Sequence, residues 1–316
     1  MKHSVLFWVI LVLVILVLVF LLVVMPVLTV KIYRASFNKR YETSNTAANK
    51  PAFYPGLETE ACTFKTLQGH TLAGMKYHKK DQEIKGVAVI AHGMGGGGQK
   101  GFTNVADRFT SDGYLVFAYD ATGNDLSEGD STGGLPQGVI DLDHALRFVK
   151  EQPEYKDLPI VLFGYSWGAY SVGSVLNLHP DVKAAVMASG FNRSIGMIEQ
   201  RGAGYVGKFA VKLMLPYVQV YEKILYGKYP ALSAVKGFET AKDTRIMIIY
   251  SLDDDTVRQE NGYEPFLPYQ DDPRFTFKIY DDRGHRSFWT RPDPEKLDDE
   301  LFDEIASFYD NCCKGE

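Results

Sequence analysis

The chain has 316 residues, 46% of them hydrophobic, and a formal net charge of −5 at pH 7. That is enough apolar material for one large core, and an acidic balance without a long basic stripe excludes a nucleic-acid footprint. Three cysteines, Cys62, Cys312 and Cys313, form no disulfide framework. No nearby histidine or cysteine pair has zinc-ligand spacing, and Cys312 and Cys313 are expected in a frayed C-terminal tail.

From Val5 to Val30 stand 26 residues without a charge. As a helix rising ~1.5 Å per residue this run is ~39 Å long, more than the ~30 Å hydrocarbon core of a bilayer. Residues 5–30 are therefore expected to cross a membrane once, with tilt or an end near Pro26. A cleaved signal peptide is the competing reading, but its apolar region would be ~7–15 residues and end at a small-residue site; "TVKIYRAS" is a poor one. Lys2 flanks one side, and Lys31, Arg34, Lys39 and Arg40 the other. The positive-inside rule places the following domain in the cytoplasm, as do uncommitted cysteines; a luminal or extracellular placement stays open. Residues 31–58 are polar, carry Asn, Pro and Gly, and read as a juxtamembrane linker with at most a short helical start.

A folded domain is expected over residues 59–312. "ACTFKTLQGHTLAGMKYHKK" predicts a hairpin around Gln68-Gly69. Continuous apolar runs follow: "GVAVIAHG", "YLVFAYD", "PIVLFGYS", "KAAVMASG", "TRIMIIYS" and "FTFKIYDD". Between them lie helical patterns, "TNVADRFTSDG", "GVIDLDHALRFVKEQ" and "WGAYSVGSVLNLH", and a last one repeats Leu297, Leu301, Ile305 and Phe308. Such alternation predicts βαβ units and a mostly parallel sheet buried on both faces. One segment breaks it. Residues 191–240, including "GKFAVKLMLPYVQVYEKILYGKYPAL", are too long for a simple crossover. They read as a lid or cap over a pocket, with an extended crossover helix as the alternative.

"IVLFGYSWGAYSVGSV" sets Ser166 between Gly164 and Gly168, after a buried strand and before a helix. A strand-to-helix turn this sharp strains the serine backbone and needs small neighbours. The hydroxyl then stands near a helix N-terminus, where backbone N–H groups favour developing negative charge. A serine nucleophile needs a base. His3, His70, His78, His144 and His179 read as structural or surface residues. His92 and His285 end strand-like runs, where an open α/β sheet keeps its ligand sites; His285, in "DDRGHRSFW", is taken as the base. Asp253, Asp254 and Asp255 follow another buried run, and Asp254 is the chosen orienting acid, with Asp255 as runner-up. The glycines of "IAHGMGGGGQKG" let backbone approach a substrate, so the N–H groups of Met94 and Trp167 are expected to hold an oxyanion. A phosphate-cradling loop is the rival, but the G-K-[ST] ending is missing.

Taken together, "AHGMGG", "YDATGNDLSEG", "GYSWG", "SLDDDTV" and "RGH" resemble the α/β-hydrolase superfamily, in its monoglyceride-lipase and serine-aminopeptidase-like branch. The resemblance spans residues ~60–310. It implies an α/β-hydrolase fold with a helical cap, here preceded by one transmembrane helix. It further implies Ser166 as nucleophile, Asp254 as acid, His285 as base, oxyanion donors at Met94 and Trp167, and no cofactor or metal. Two departures stand out: Asp125 where the family has a second glycine, and Ser251 where many members have glycine. The expected activity is ester hydrolysis by a membrane-anchored serine hydrolase acting on a small-molecule or lipid acyl ester. A peptidase, thioesterase, acyltransferase or non-catalytic interaction module on the same scaffold is the alternative.

Overall fold

The computed structural model describes residues 4–95, 97–286 and 296–313. Lys2, His3 and Gly96, which enter the sequence reading, lie outside the described residues, as do residues 287–295 of the expected domain and the start of its last helical pattern.

Helix α1 runs from Val5 to Phe37, long and apolar enough to cross a membrane. At ~1.5 Å per residue it is about 50 Å long. It extends seven residues into the stretch read as linker. Its first part, Val5–Val24, buries no side chain, whereas Met25, Thr29 and Tyr33 in its second part are buried. Over Phe20–Val24 the helix widens to a π turn, in which the Met25 N–H donates to the Phe20 carbonyl. Pro26 has no N–H to offer, so the Leu21 carbonyl loses its usual helical donors. The hydroxyl of Tyr217 replaces them, at 2.9 Å.

Eight strands follow: β1 (Glu58–Lys65), β2 (Thr71–His78), β3 (Gly86–Ala91), β4 (Tyr114–Tyr119), β5 (Ile160–Tyr165), β6 (Ala184–Ala188), β7 (Arg245–Ser251) and β8 (Phe275–Tyr280). They form one sheet in the order β1-β2-β4-β3-β5-β6-β7-β8. β2 is antiparallel to β1 and β4; the remaining pairs are parallel. The hairpin turn is closed by Gly69 in a left-handed conformation (φ 87°). β3 and β6 are buried along their whole length, which is why their sequences read as continuous apolar runs rather than alternating ones. One face of the sheet is covered by α2 (Thr103–Ser111) and α8 (Asp299–Cys313), through Val105, Phe109, Phe302, Ile305 and Tyr309. The other is covered by α3 (Leu135–Glu151), α4 (Trp167–Val175) and α7 (Ala234–Thr240). The expected fraying of the C-terminal cysteines is corrected here. Cys312 and Cys313 lie inside α8 and pack against the core, because Tyr309 and Asp310 tie that helix to the Leu162 carbonyl and to Tyr114.

Between β6 and β7 the chain forms α5 (Ser194–Val206), α6 (Lys208–Tyr226) and then α7. α6 buries Val211, Met214, Val218, Glu222 and Tyr226, one stripe at helical spacing. Phe209, Leu213, Val220 and Ile224 on its far side are exposed. α6 packs on α1. Tyr33 donates to Glu222 at 2.8 Å, buried, and the Arg34 guanidinium donates to Tyr221 at 2.8 Å.

Burial raises the Glu222 carboxyl to about 7, against the stabilising hydrogen bond from Tyr33. A folded-state pKa above the unfolded one means the folded protein keeps this proton where the unfolded chain has lost it. Stability from this group is therefore present below the ordinary carboxyl range and fades as pH rises toward 7. Glu222→Gln removes that slope while keeping an acceptor for Tyr33. The variant is expected to melt higher than the parent by a few degrees at pH 8, with the gain gone by pH 4.5; thermal unfolding at the two pH values checks it.

Candidate active site

The strand order reverses at β3: β4 lies on one side of it and β5 on the other. Loops leaving the ends of β3 and β5 diverge there, opening a crevice at the strands' carboxyl ends. The loop after β3 carries Gly93 and Met94; the turn after β5 carries Ser166.

Ser166 has φ 54° and ψ −112°, a conformation L-residues avoid. The two glycines that flank it explain how the turn is reached. A Cβ at position 168 would lie 1.9 Å from the Ala91 carbonyl oxygen, and one at position 164 would lie 2.5 Å from that of Gly168. Either is a collision with backbone. The Ser166 N–H donates to the Ala188 carbonyl at 2.8 Å, and its own carbonyl accepts from Tyr170 at 3.0 Å. The strained residue is thus held on both sides.

Ser166 Oγ lies 2.9 Å from His285 Nε2, and His285 Nδ1 lies 2.7 Å from Asp254 Oδ2. The structure therefore brings together the serine, the acid and the histidine singled out in the sequence, 119 and 31 residues apart along the chain. The Asp254 carboxylate is buried, and its other oxygen accepts from the N–H groups of Thr256 and Val257 at 2.9 and 2.8 Å. That fixes it as an acceptor and leaves Oδ2 for the imidazole. Asp255 is exposed and accepts from the Thr256 hydroxyl at 3.2 Å.

Three residues that the sequence reading did not assign hold His285 in place. Tyr165 donates its hydroxyl to the His285 carbonyl at 2.8 Å. Ser251 Oγ accepts from the N–H groups of Arg283 and Gly284, at 2.9 and 3.2 Å. Asp253 accepts from Gly284 N–H at 2.8 Å. The serine that departs from the family's glycine is thus a brace for the turn that presents the histidine. "YS" at a strand end, opposite "RGH", was its only trace in the sequence.

The glycine loop is held in a similar way. Asp120 accepts from Gln99 N–H at 2.8 Å, and burial raises its carboxyl to about 6. Asp125, the other departure, adopts φ 36° and accepts from Gly98 N–H at 3.0 Å and from Thr43 N–H at 2.8 Å. The stretch read as linker is therefore pinned to this loop, and Arg40 adds bonds to the carbonyls of Asp125 and Ser127. His92 is buried. Its Nε2 accepts from Ala121 N–H at 2.9 Å, so its Nδ1 donates to the Gly93 carbonyl at 2.8 Å. Burial also lowers its pKa. A neutral imidazole used on both nitrogens is a strut between β3 and β4. His144 and His179 are likewise engaged elsewhere, with Leu67 N–H and with Asp143.

Ser166, Trp167, Met94 and His285 line a cavity of about 1020 Å³, to which α5 and α6 contribute Met197, Val211 and Met214. Its size suits a small organic or acyl ligand. Among the described residues no group of three or more His, Cys, Asp or Glu side chains is arranged to hold a metal ion.

The family model for serine aminopeptidase S33 matches residues 82–225. A caffeoylshikimate esterase of Arabidopsis thaliana is 32% identical over 115 residues, which are 36% of this chain. The match spans only about a third of that protein's length (34%). An esterase of Pyrococcus furiosus superposes with a TM-score of 0.64 at 17% identity, over 88% of this chain and 98% of its own. A Penicillium α/β hydrolase gives 0.59 at 17%, over 81% and 99%. An acylaminoacyl peptidase of Pyrococcus horikoshii gives 0.59 at 16%, over 81% of this chain and 42% of its own. At such identities the structures speak for the fold alone. With the sheet order, the strained serine turn and these superpositions in hand, the chain has the α/β-hydrolase fold.

Proposed function

We propose that the protein is a membrane-anchored serine hydrolase that cleaves carboxylic esters through an acyl-enzyme. The observation that carries this reading is the unbroken chain of contacts Asp254–His285–Ser166 inside one cavity, at 2.7 and 2.9 Å. The apolar helix α1 supports the anchoring, and the names of the relatives support the ester.

In this mechanism Ser166 Oγ attacks the acyl carbonyl while His285 Nε2 takes its proton. Asp254 keeps the other imidazole nitrogen protonated and stabilises the imidazolium. The oxygen that becomes negative is received by the N–H groups of Met94 and Trp167, each contributing about 3 kcal/mol to lowering the barrier. The carbon–oxygen bond of the ester then breaks. His285 returns the proton to the departing alkoxide, which leaves as an alcohol. Water, deprotonated by His285, attacks the acyl-serine; the acid departs and Ser166 regains its proton.

The first test is covalent labelling with a fluorophosphonate probe: the full-length protein is expected to be labelled and Ser166→Ala not. Equal labelling of both would sink the assignment, and labelling without turnover of any ester in a chromogenic panel would favour the peptidase reading. A second measurement separates the two acids. Asp254→Asn is expected to lower kcat by on the order of 10³–10⁴, while Asp255→Asn keeps kcat within about twofold, since an exposed carboxylate contributes little. The reverse order of the two variants would exchange their roles.

A further inference from the structure

Helix α1 does more than run beside the domain. Thr29, Ile32, Tyr33 and Phe37 line the same cavity as Ser166 and His285. Across from them stand Val211, Met214 and Val218 of α6. The two helices are joined by three side-chain hydrogen bonds at different heights: Tyr217 to the Leu21 carbonyl, Tyr33 to Glu222 and Arg34 to Tyr221. The Tyr33 ring also packs on Phe37 at 4.9 Å and on Tyr221 at 5.4 Å. Such a brace sets the width of the space between α1 and α6. The surface it encloses is mostly hydrocarbon, suited to an alkyl chain and not to a sugar or a peptide backbone.

We infer that the last three turns of α1 form one wall of an acyl-chain subsite, so that the N-terminal helix itself determines which chain lengths the serine can process. The inference rests on the reading of Ser166 as an acyl-transfer nucleophile and names the part of the ester that the cavity holds. The anchor, on this view, is a portion of the substrate site, and its sequence is constrained on one face by the substrate.

The test uses the full-length protein in lipid nanodiscs. Ile32→Trp places an indole in the cavity wall; Val27→Trp places the same group on the exposed side of the helix, where Val27 is 52% accessible. With p-nitrophenyl acetate and octanoate as substrates, the octanoate-to-acetate ratio of kcat/KM is expected to fall at least about tenfold in Ile32→Trp. That corresponds to the loss of a few buried methylenes at roughly fourfold each. Val27→Trp is expected to keep the ratio within about twofold. Ile32→Ala, which enlarges the space and spares the fold, is expected to raise the decanoate-to-octanoate ratio. An unchanged ratio in both Ile32 variants, or an equal fall in Val27→Trp, overturns the wall. A binding arm needs no turnover. In the Ser166→Ala background, calorimetric affinity for octanoate is expected to drop at least about fivefold on adding Ile32→Trp, and an unchanged affinity overturns the inference. If the unsubstituted protein neither turns over an ester nor takes the fluorophosphonate label, the hydrolase reading fails, and the octanoate measurement still decides the wall.

Discussion

The architecture depends on one close approach. Helix α4 begins directly against the end of β3, so near that any side chain at position 168 would meet the carbonyls of Ala91 and His92. This seating forces the turn at Ser166 into a region of backbone space that costs about 1–3 kcal/mol. The surrounding sheet offsets that cost, since the Ser166 N–H is bonded to Ala188 on the neighbouring strand. The same approach brings the Gly93-Met94 loop beside Trp167. A strained serine and a candidate oxyanion pocket are thus two results of one packing contact.

What remains is to keep two loops still, and the chain does this with short acidic and hydroxyl side chains. Asp120 and Asp125 hold the glycine loop from one side; Ser251 and Asp253 hold the turn before His285 from the other. Loops rich in glycine lose much conformational entropy on ordering, so N–H groups captured by carboxylates are an efficient way to fix them. Asp125 is instructive. A glycine there would adopt the left-handed conformation more easily, but aspartate tolerates it and adds an acceptor that reaches both Gly98 and Thr43. The substitution exchanges a small backbone preference for a tie between loop and linker.

Much of this was legible before any coordinates. The parallel strands announced themselves as unbroken apolar runs because both faces of β3 and β6 are covered, and the serine turn did so through Gly164 and Gly168. His285 and Asp254 could be chosen because they follow strand-like runs, where sheet ends gather ligands. The braces could not. Tyr165, Ser251 and Asp253 act through contacts between segments some 30 to 120 residues apart, which a strand end or a loop does not announce locally. The C-terminal cysteines lie close to a chain end, where fraying is the ordinary expectation, yet the Leu301, Ile305, Tyr309 stripe carries their helix into the core.

Helix α1 conceals most. From Val5 to Leu28 its residues are apolar whether buried like Met25 or exposed like Val27, so a hydrophobic period cannot separate the two surfaces there. The informative residues are the polar exceptions. Glu222 sits on an otherwise hydrocarbon stripe of α6, a position where a carboxylate is costly unless it has a partner. Tyr33 supplies that partner from α1. The π turn at Phe20–Val24 and Pro26 together strip the Leu21 carbonyl of a helical donor, and Tyr217 supplies one from α6. An orphaned carbonyl in a hydrocarbon setting costs several kcal/mol, so breaking the junction would expose both a buried acid and a bare carbonyl. Two such defects are satisfied only when α1 and α6 lie together. On the proposed anchoring, this couples the position of α6 to the position of α1 in the bilayer, and the cavity they line inherits its shape from both.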